Sequence, residues 1–281
     1  MKKIVFTSVI LSCLGLVSAL AQQKLYINYN KELFTDITVY DAQGNGHPVR
    51  ALISTATDVC YIDSAFYHSR FSSGRNGSLD YVGAEFGNIR DVKRLTIESL
   101  SFGGMSYKEV PTVIAPILDD DYKAVIGVSV LDDQVWKVNM KDSLISRLEK
   151  ADDGSIAVIE CFRGKKKYNQ SHLLFLLLKI QGKTFNCVYH SGTNGIAIME
   201  KIKGEPWISE VKEGGDYGTF HYNARHQYRL PNAKVKVPLV KWEITETVKY
   251  VPMLGYNCVG NILFDGHTFI LDYKKNRILI Y

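Results

Sequence analysis

Residues 51–62 read ALISTATDVCYI. An apolar strand runs into a tight turn of small residues, Ser54-Thr55-Ala56, and the chain returns to apolar strand. Residues 187–198, CVYHSGTNGIAI, have the same shape, with His190-Ser191-Gly192 at the turn, 136 positions after the first. Each stretch has an echo downstream. Residues 125–145, VIGVSVLDDQVWKVNMKDSLI, match residues 258–278, CVGNILFDGHTFILDYKKNRI. Gly127 falls on Gly260, Leu131 on Phe264, Trp136 on Phe269, Asn139 on Asp272 and Ile145 on Ile278, every pair 133 positions apart. Two elements in the same order, at nearly one offset, in both halves mark an internal duplication.

Working outward, residues 35–53 read as a hairpin around the turn cluster 41–46, DAQGNG. Residues 63–71 have short helical character and 72–77, SSGRNG, read as loop. Residues 93–102 and 110–115 form a further hairpin about Gly103-Gly104. Residues 150–154, KADDG, are a natural linker. Beyond it, 172–180, HLLFLLLKI, is too short to span a membrane and reads as a buried strand. Residues 205–229 are the least regular part, with His221 and His226 at no metal-ligand spacing. Long helical periodicity is nearly absent, so the expected class is all-β with a few short helices.

An apolar strand, then Asp-Thr-Gly-Ala/Ser, then an apolar strand, with an apolar-apolar-Gly segment further on, is the pattern of the aspartic proteases. Over nearly all of its length after residue 21, this chain resembles their two-lobed, pepsin-like and retropepsin-like members. The resemblance implies a two-lobed, pepsin-like (acid protease) architecture of β-barrels, with lobes at 22–149 and 155–281. It also implies that Ser54 and His190 stand where the family carries its two catalytic aspartates, with Thr55, Ala56, Ser191, Gly192 and Thr193 completing the two loops. A mobile hairpin, the flap, is implied between the first loop and the next strands, with Tyr81 as its candidate aromatic.

The family's reaction needs two carboxylates about 3 Å apart sharing one proton, one acting as acid and the other as base. A serine and a histidine cannot reproduce that pair. The expected protein is therefore a catalytically inactive relative, a pseudoprotease, whose cleft between lobes binds an extended peptide or a protein. Two alternatives stand beside it. One is an active peptidase of atypical kind, with Ser54 as nucleophile and His190 as base, or with a relocated carboxylate such as Asp58. The Ser–His version needs a group to orient the histidine and an oxyanion hole, for which the amides of Gly192 or Thr193 are candidates. The other is a structural envelope component whose cleft is closed by its own chain. The resemblance also implies that the Thr55 and Ser191 hydroxyls bond across to the opposite loop.

Residues 1–21 read as a signal peptide: Lys2 and Lys3, an apolar stretch from Ile4 to Val17, and a small-residue site at Ala19-Leu20-Ala21. Cleavage after Ala21 is preferred to lipidation at Cys13. The expected destination is the periplasm, the cell surface or the medium. Without Lys2 and Lys3 the formal charge falls from +5 to +3. The basic run 165–167 reads as a solvated hairpin tip, so nothing points to nucleic acid. The four remaining cysteines, Cys60, Cys161, Cys187 and Cys258, allow three pairings. Cys187 and Cys258 fall on neighbouring core strands opposite plainly apolar residues of the first half, which favours buried thiols. No metal or other cofactor is implied.

Overall fold

The computed structural model describes residues 22–71, 78–83, 89–164, 172–212, 215–217, 220–222, 225–252 and 255–281, without side chains at 78–83, 89–92, 212, 215–217, 220–222 and 225–226. Residues 1–21, with Cys13, and the basic run 165–167 lie outside the described residues, as do the side chains of Tyr81, His221 and His226.

Apolar runs and stretches of alternating apolar and polar residues dictate most of the strands. In the first half these are β1 (Gln22–Lys24), β2 (Tyr26–Ile27), β3 (Leu33–Tyr40), β4 (Gly46–Ile53), β5 (Cys60–Asp63), β6 (Ser78–Gly83), β7 (Ile89–Phe102), β8 (Met105–Ala115), β9 (Ala124–Ile126), β10 (Val135–Asn139) and β11 (Leu144–Leu148). Two short helices interrupt them, α1 (Ser64–Arg70) and α2 (Val128–Leu131). Asp63 caps α1, its Oδ1 accepting the Phe66 N–H at 2.8 Å. The second half holds β12 (Ala157–Glu160), β13 (Phe162–Arg163), β14 (Leu174–Ile180), β15 (Lys183–Tyr189), β16 (Ile196–Ile198), β17 (Ile208–Lys212), β18 (Gly215–Tyr217), β19 (Phe220–Tyr222), β20 (Arg225–Val237), β21 (Trp242–Tyr250), β22 (Asn257–Val259), β23 (Thr268–Asp272) and β24 (Arg277–Ile280), with a 3-10 turn at Asn261–Phe264.

Each half closes a six-stranded barrel. The first runs β3-β4-β9-β5-β8-β7 and closes where β7 pairs back onto β3; the second runs β14-β15-β22-β16-β21-β20 and closes where β20 pairs onto β14. The mixed pairings repeat as well: β4 lies parallel to β9 and β5 to β8, as β15 does to β22 and β16 to β21. Strands β6 and β17 extend the two sheets as their terminal members. The protein is all-β, two-lobed and internally duplicated. Residues 205–229, irregular by sequence, contribute the regular pair β17–β20. The signal was hidden because Ile208 and Val211 of β17 are exposed, so no alternation of burial marks the strand.

A six-stranded sheet, β1-β11-β10-β23-β24-β12, joins the lobes. Its central pairing, β10 with β23, is antiparallel and sets Lys137 opposite Ile270. Those residues are 133 positions apart, the offset of the duplication, so the local two-fold axis passes between them. Cross-lobe ion pairs obey the same symmetry. Asp265 takes Lys31 at 2.7 Å; its counterpart Asp132 takes Arg163 and His172, both at 2.7 Å. Burial alone would raise the Asp132 carboxyl, but the bonds from His172 and Arg163 hold it below the usual range.

The four described cysteines are free thiols. Val188, not Cys187, lies beside Cys258 across the β15–β22 pair, so the thiols of Cys187 and Cys258 point to opposite faces of the sheet.

Candidate functional site

The two turns of the duplication meet at the lobe junction. Strand β4 delivers Ser54, whose N–H donates to Ile126 O at 2.9 Å; strand β15 delivers His190, whose N–H donates to Val259 O at 2.9 Å. Both side chains are nearly enclosed, Ser54 at 2 % exposure and His190 at 9 %.

Thr55 and Ser191 lock the loops together. Thr55 Oγ1 donates to Tyr189 O at 2.6 Å and accepts the Ser191 N–H at 3.0 Å. Reciprocally, Ser191 Oγ donates to Ile53 O at 2.6 Å and accepts the Thr55 N–H at 3.1 Å. These four buried bonds form a closed, two-fold-symmetric clamp. Tyr256 adds a bond from its hydroxyl to Ala56 O at 3.1 Å.

The side chains at the two turn positions are engaged locally. Ser54 Oγ lies 2.6 Å from Thr57 Oγ1. His190 Nδ1 accepts the Gly192 N–H at 3.1 Å, which leaves Nε2 as the ring nitrogen able to donate. The amide of Gly192 is therefore already committed to the histidine. The Thr193 N–H reaches His190 O at 3.3 Å and is committed as well. Neither amide stands ready as an oxyanion donor in this arrangement.

Residue size is balanced within each loop. A methyl on Gly192 would lie 2.9 Å from His190 Cε1 and 3.1 Å from Leu52 Cδ2. The imidazole and Leu52 thus leave little room for a side chain at Gly192, the counterpart of Ala56.

Asp58 and its counterpart Asn194 each bury an Oδ1 that makes no hydrogen bond among the described residues. Burial raises the Asp58 carboxyl, and the charges of His172 and Arg94 pull it down. Tyr81 lies on β6 opposite Asp91 of β7, in a hairpin, while its side chain is outside the described residues.

Three participants escaped the sequence reading. Asn261 is fully buried; its Nδ2 donates to Ser191 O at 2.7 Å and also to Lys31 O, while its Oδ1 accepts from Tyr189 Oη at 2.6 Å. A polar residue where the first half has Val128 was the available signal. Tyr256 had none. Glu32, buried on the turn before β3, sits on the chain segment that bonds to the His190 loop, Leu33 N–H to Ser191 O at 3.4 Å. Burial raises its carboxyl above the usual range; the bond from Asn28 Nδ2 at 2.6 Å and the nearby His190 ring lower it, and Asp119 raises it. A raised folded-state pKa means that the folded form favours the protonated acid. That contribution is full below the unfolded pKa and lost as pH rises through the folded one. Glu32→Gln is therefore expected to raise the melting temperature at pH 7 and to leave it unchanged near pH 3. An equal shift at both pH values would show that Glu32 is not held as a strained carboxylate.

Among the described residues no group of three or more His, Cys, Asp or Glu is placed to hold a metal ion, and no helix is long and apolar enough to cross a membrane. No protein-family model matches the chain, and no curated protein matches it. Fold and junction alone define its class: a duplicated double barrel with two loops clamped face to face.

Proposed function

We propose that this protein is a pepsin-like scaffold without protease chemistry, exported by residues 1–21, that binds an extended peptide or protein segment between its lobes. The observation that carries the reading is the state of the two turn positions. Both hold non-carboxylate side chains, bonded within their own loops to Thr57 and Gly192. The clamp of Thr55 and Ser191 keeps the loops face to face without any acid to share a proton. Support for peptide capture comes from β6, the terminal strand of the first sheet, whose outer edge pairs with no strand among the described residues. Such an edge accepts an extended chain by strand addition.

A second reading, a structural component with a closed cleft, is favoured by the near-complete burial of Ser54 and His190. One experiment separates these readings from an active peptidase. The chain from Gln22 is incubated with a diverse peptide mixture from about pH 3 to 8, spanning carboxylate and histidine titration. Products and retained peptides are read by mass spectrometry. The expected result is retained peptides and no products, unchanged in Ser54→Ala and His190→Ala. Neither products nor retained peptides would favour the closed scaffold. Products lost in either variant would overturn the proposal and make Ser54 and His190 a nucleophile and base. Products persisting in both would also overturn it and direct attention to Asp58→Asn.

A further inference from the structure

The second barrel closes along a short seam in which Lys179 of β14 stands directly opposite Lys236 of β20. Lys234, two residues before Lys236, lies on the same outer face. Inward, the seam is apolar, with Ile180 and Val235 fully buried. Outward, Lys179, Lys234 and Lys236 line a shallow concavity of about 300 Å³ together with Gln181 and Gly182. Gln181 and Gly182 both have positive φ, 46° and 86°, and form the two-residue turn between β14 and β15.

The fold does not require these charges. The first barrel closes along an equivalent seam, where Thr38 of β3 stands opposite Ser101 of β7 and Tyr40 opposite Ser99. Through the duplication Thr38 corresponds to Lys179, Ser101 to Lys236 and Ser99 to Lys234. Three neutral hydroxyl residues serve the same geometry in one lobe; the other lobe carries three ammonium groups. Like charges directly opposite each other on neighbouring strands oppose the pairing. Only Lys236 has a counter-ion among the described residues, Glu243 at 2.6 Å; Lys179 and Lys234 make no ion pair among them. Gln181 fixes the floor. Its backbone N–H donates to Lys234 O, its Oε1 accepts the Lys234 N–H at 3.1 Å, and its Nε2 donates to Glu205 Oε2 at 3.0 Å.

We propose that this seam is a binding site for a phosphoryl dianion, carried on a ligand or partner. Lysine ammonium groups bind phosphate as mobile point charges. Lys179 and Lys234 carry no ion pair among the described residues, and Lys236, by exchanging Glu243 for the ligand, completes a set of three from two strands that can surround a tetrahedral dianion. The site lies outside the clamp of Thr55 and Ser191 and is independent of the function proposed for it.

The test is a titration of the chain from Gln22 with inorganic phosphate, at a pH of about 7.5 where the dianion predominates and at about 150 mM salt to screen non-specific attraction. It is read by backbone amide chemical shifts, with sulfate as the parallel arm. The expected result is saturable shifts confined to residues 179–183 and 234–236, and about tenfold weaker binding in the double variant Lys179→Gln/Lys234→Gln. Both side chains are exposed, so the variant keeps its fold; Lys150→Gln, in the linker, is expected to bind as the parent does. Absence of saturation, shifts scattered over other lysines, or unchanged affinity in the double variant would overturn the assignment. A sulfate response equal to that of phosphate would overturn its phosphoryl character.

Discussion

Gly260→Ala is expected to destabilise the protein by about 4 kcal/mol or more, within the upper tail for single substitutions. An added Cβ would lie 2.2 Å from Thr193 O and 2.5 Å from Asn194 C, both backbone atoms of the facing loop. The duplicate Gly127→Ala meets the same obstacle, 2.2 Å from Val59 O and 2.8 Å from Thr57 O. Dihedral preference is not the cause, since φ is −92° at Gly260 and −94° at Gly127, values any residue adopts. The absence of a side chain is what lets these backbones approach, down to 2.7 Å between Gly260 N and Gly195 O and between Val128 N and Thr57 O. The check is the urea midpoint followed by tryptophan fluorescence. Gly195→Ala, in the same loop with open space around the new methyl, is the control and should barely move it. A Gly260→Ala midpoint matching that control would refute the close-approach explanation.

Thr55→Val is expected to cost about 3 kcal/mol. The substitution keeps the shape but removes the hydroxyl, leaving the Tyr189 carbonyl and the Ser191 N–H buried without their partner. Each orphaned buried group costs about 1–3 kcal/mol. Ser191→Ala should cost a similar amount, through the Thr55 N–H and the Ile53 carbonyl. Thr55→Ser, which retains the hydroxyl, should recover most of the loss. Equal midpoints for Thr55→Val and Thr55→Ser would mean that the clamp contributes little. Because the bonds cross between lobes, the valine variant is also expected to separate their unfolding into two transitions in calorimetry.

The duplicated turns were legible because apolar strands flanking a small-residue loop leave a local pattern, and because the repeat lets each half check the other. That Thr55 and Ser191 bond across the junction was an expectation from the resemblance of these turns to aspartic-protease loops, not from the repeat. Asn261 and Tyr256 were hidden because their partners lie 70 to 230 residues away in sequence, Ser191 and Lys31 for Asn261 and Ala56 for Tyr256; Glu32 was hidden because its burial comes from tertiary packing. Strand β17 was missed for a different reason: an edge strand with exposed Ile208 and Val211 has no buried face to impose alternation. The barrel seams could not be read at all, since closure by a few residues, as between Lys179 and Lys236, leaves no periodic trace.

The pairing of Lys137 with Ile270 bears on how the chain is made. The amino-terminal half is synthesised first, and until β23 follows, the β10 edge has no partner. Its register is self-complementary about residue 137, so two nascent copies could join β10 to β10 in the geometry that the finished molecule uses between its own halves. In that premature union Lys137 would face Lys137, and two ammonium groups directly opposite oppose such a ladder. In the completed chain the same lysine meets Ile270 and reaches Asp152 at 3.8 Å. A single charge on the axis thus acts as a gatekeeper, penalising association between molecules while permitting it within one.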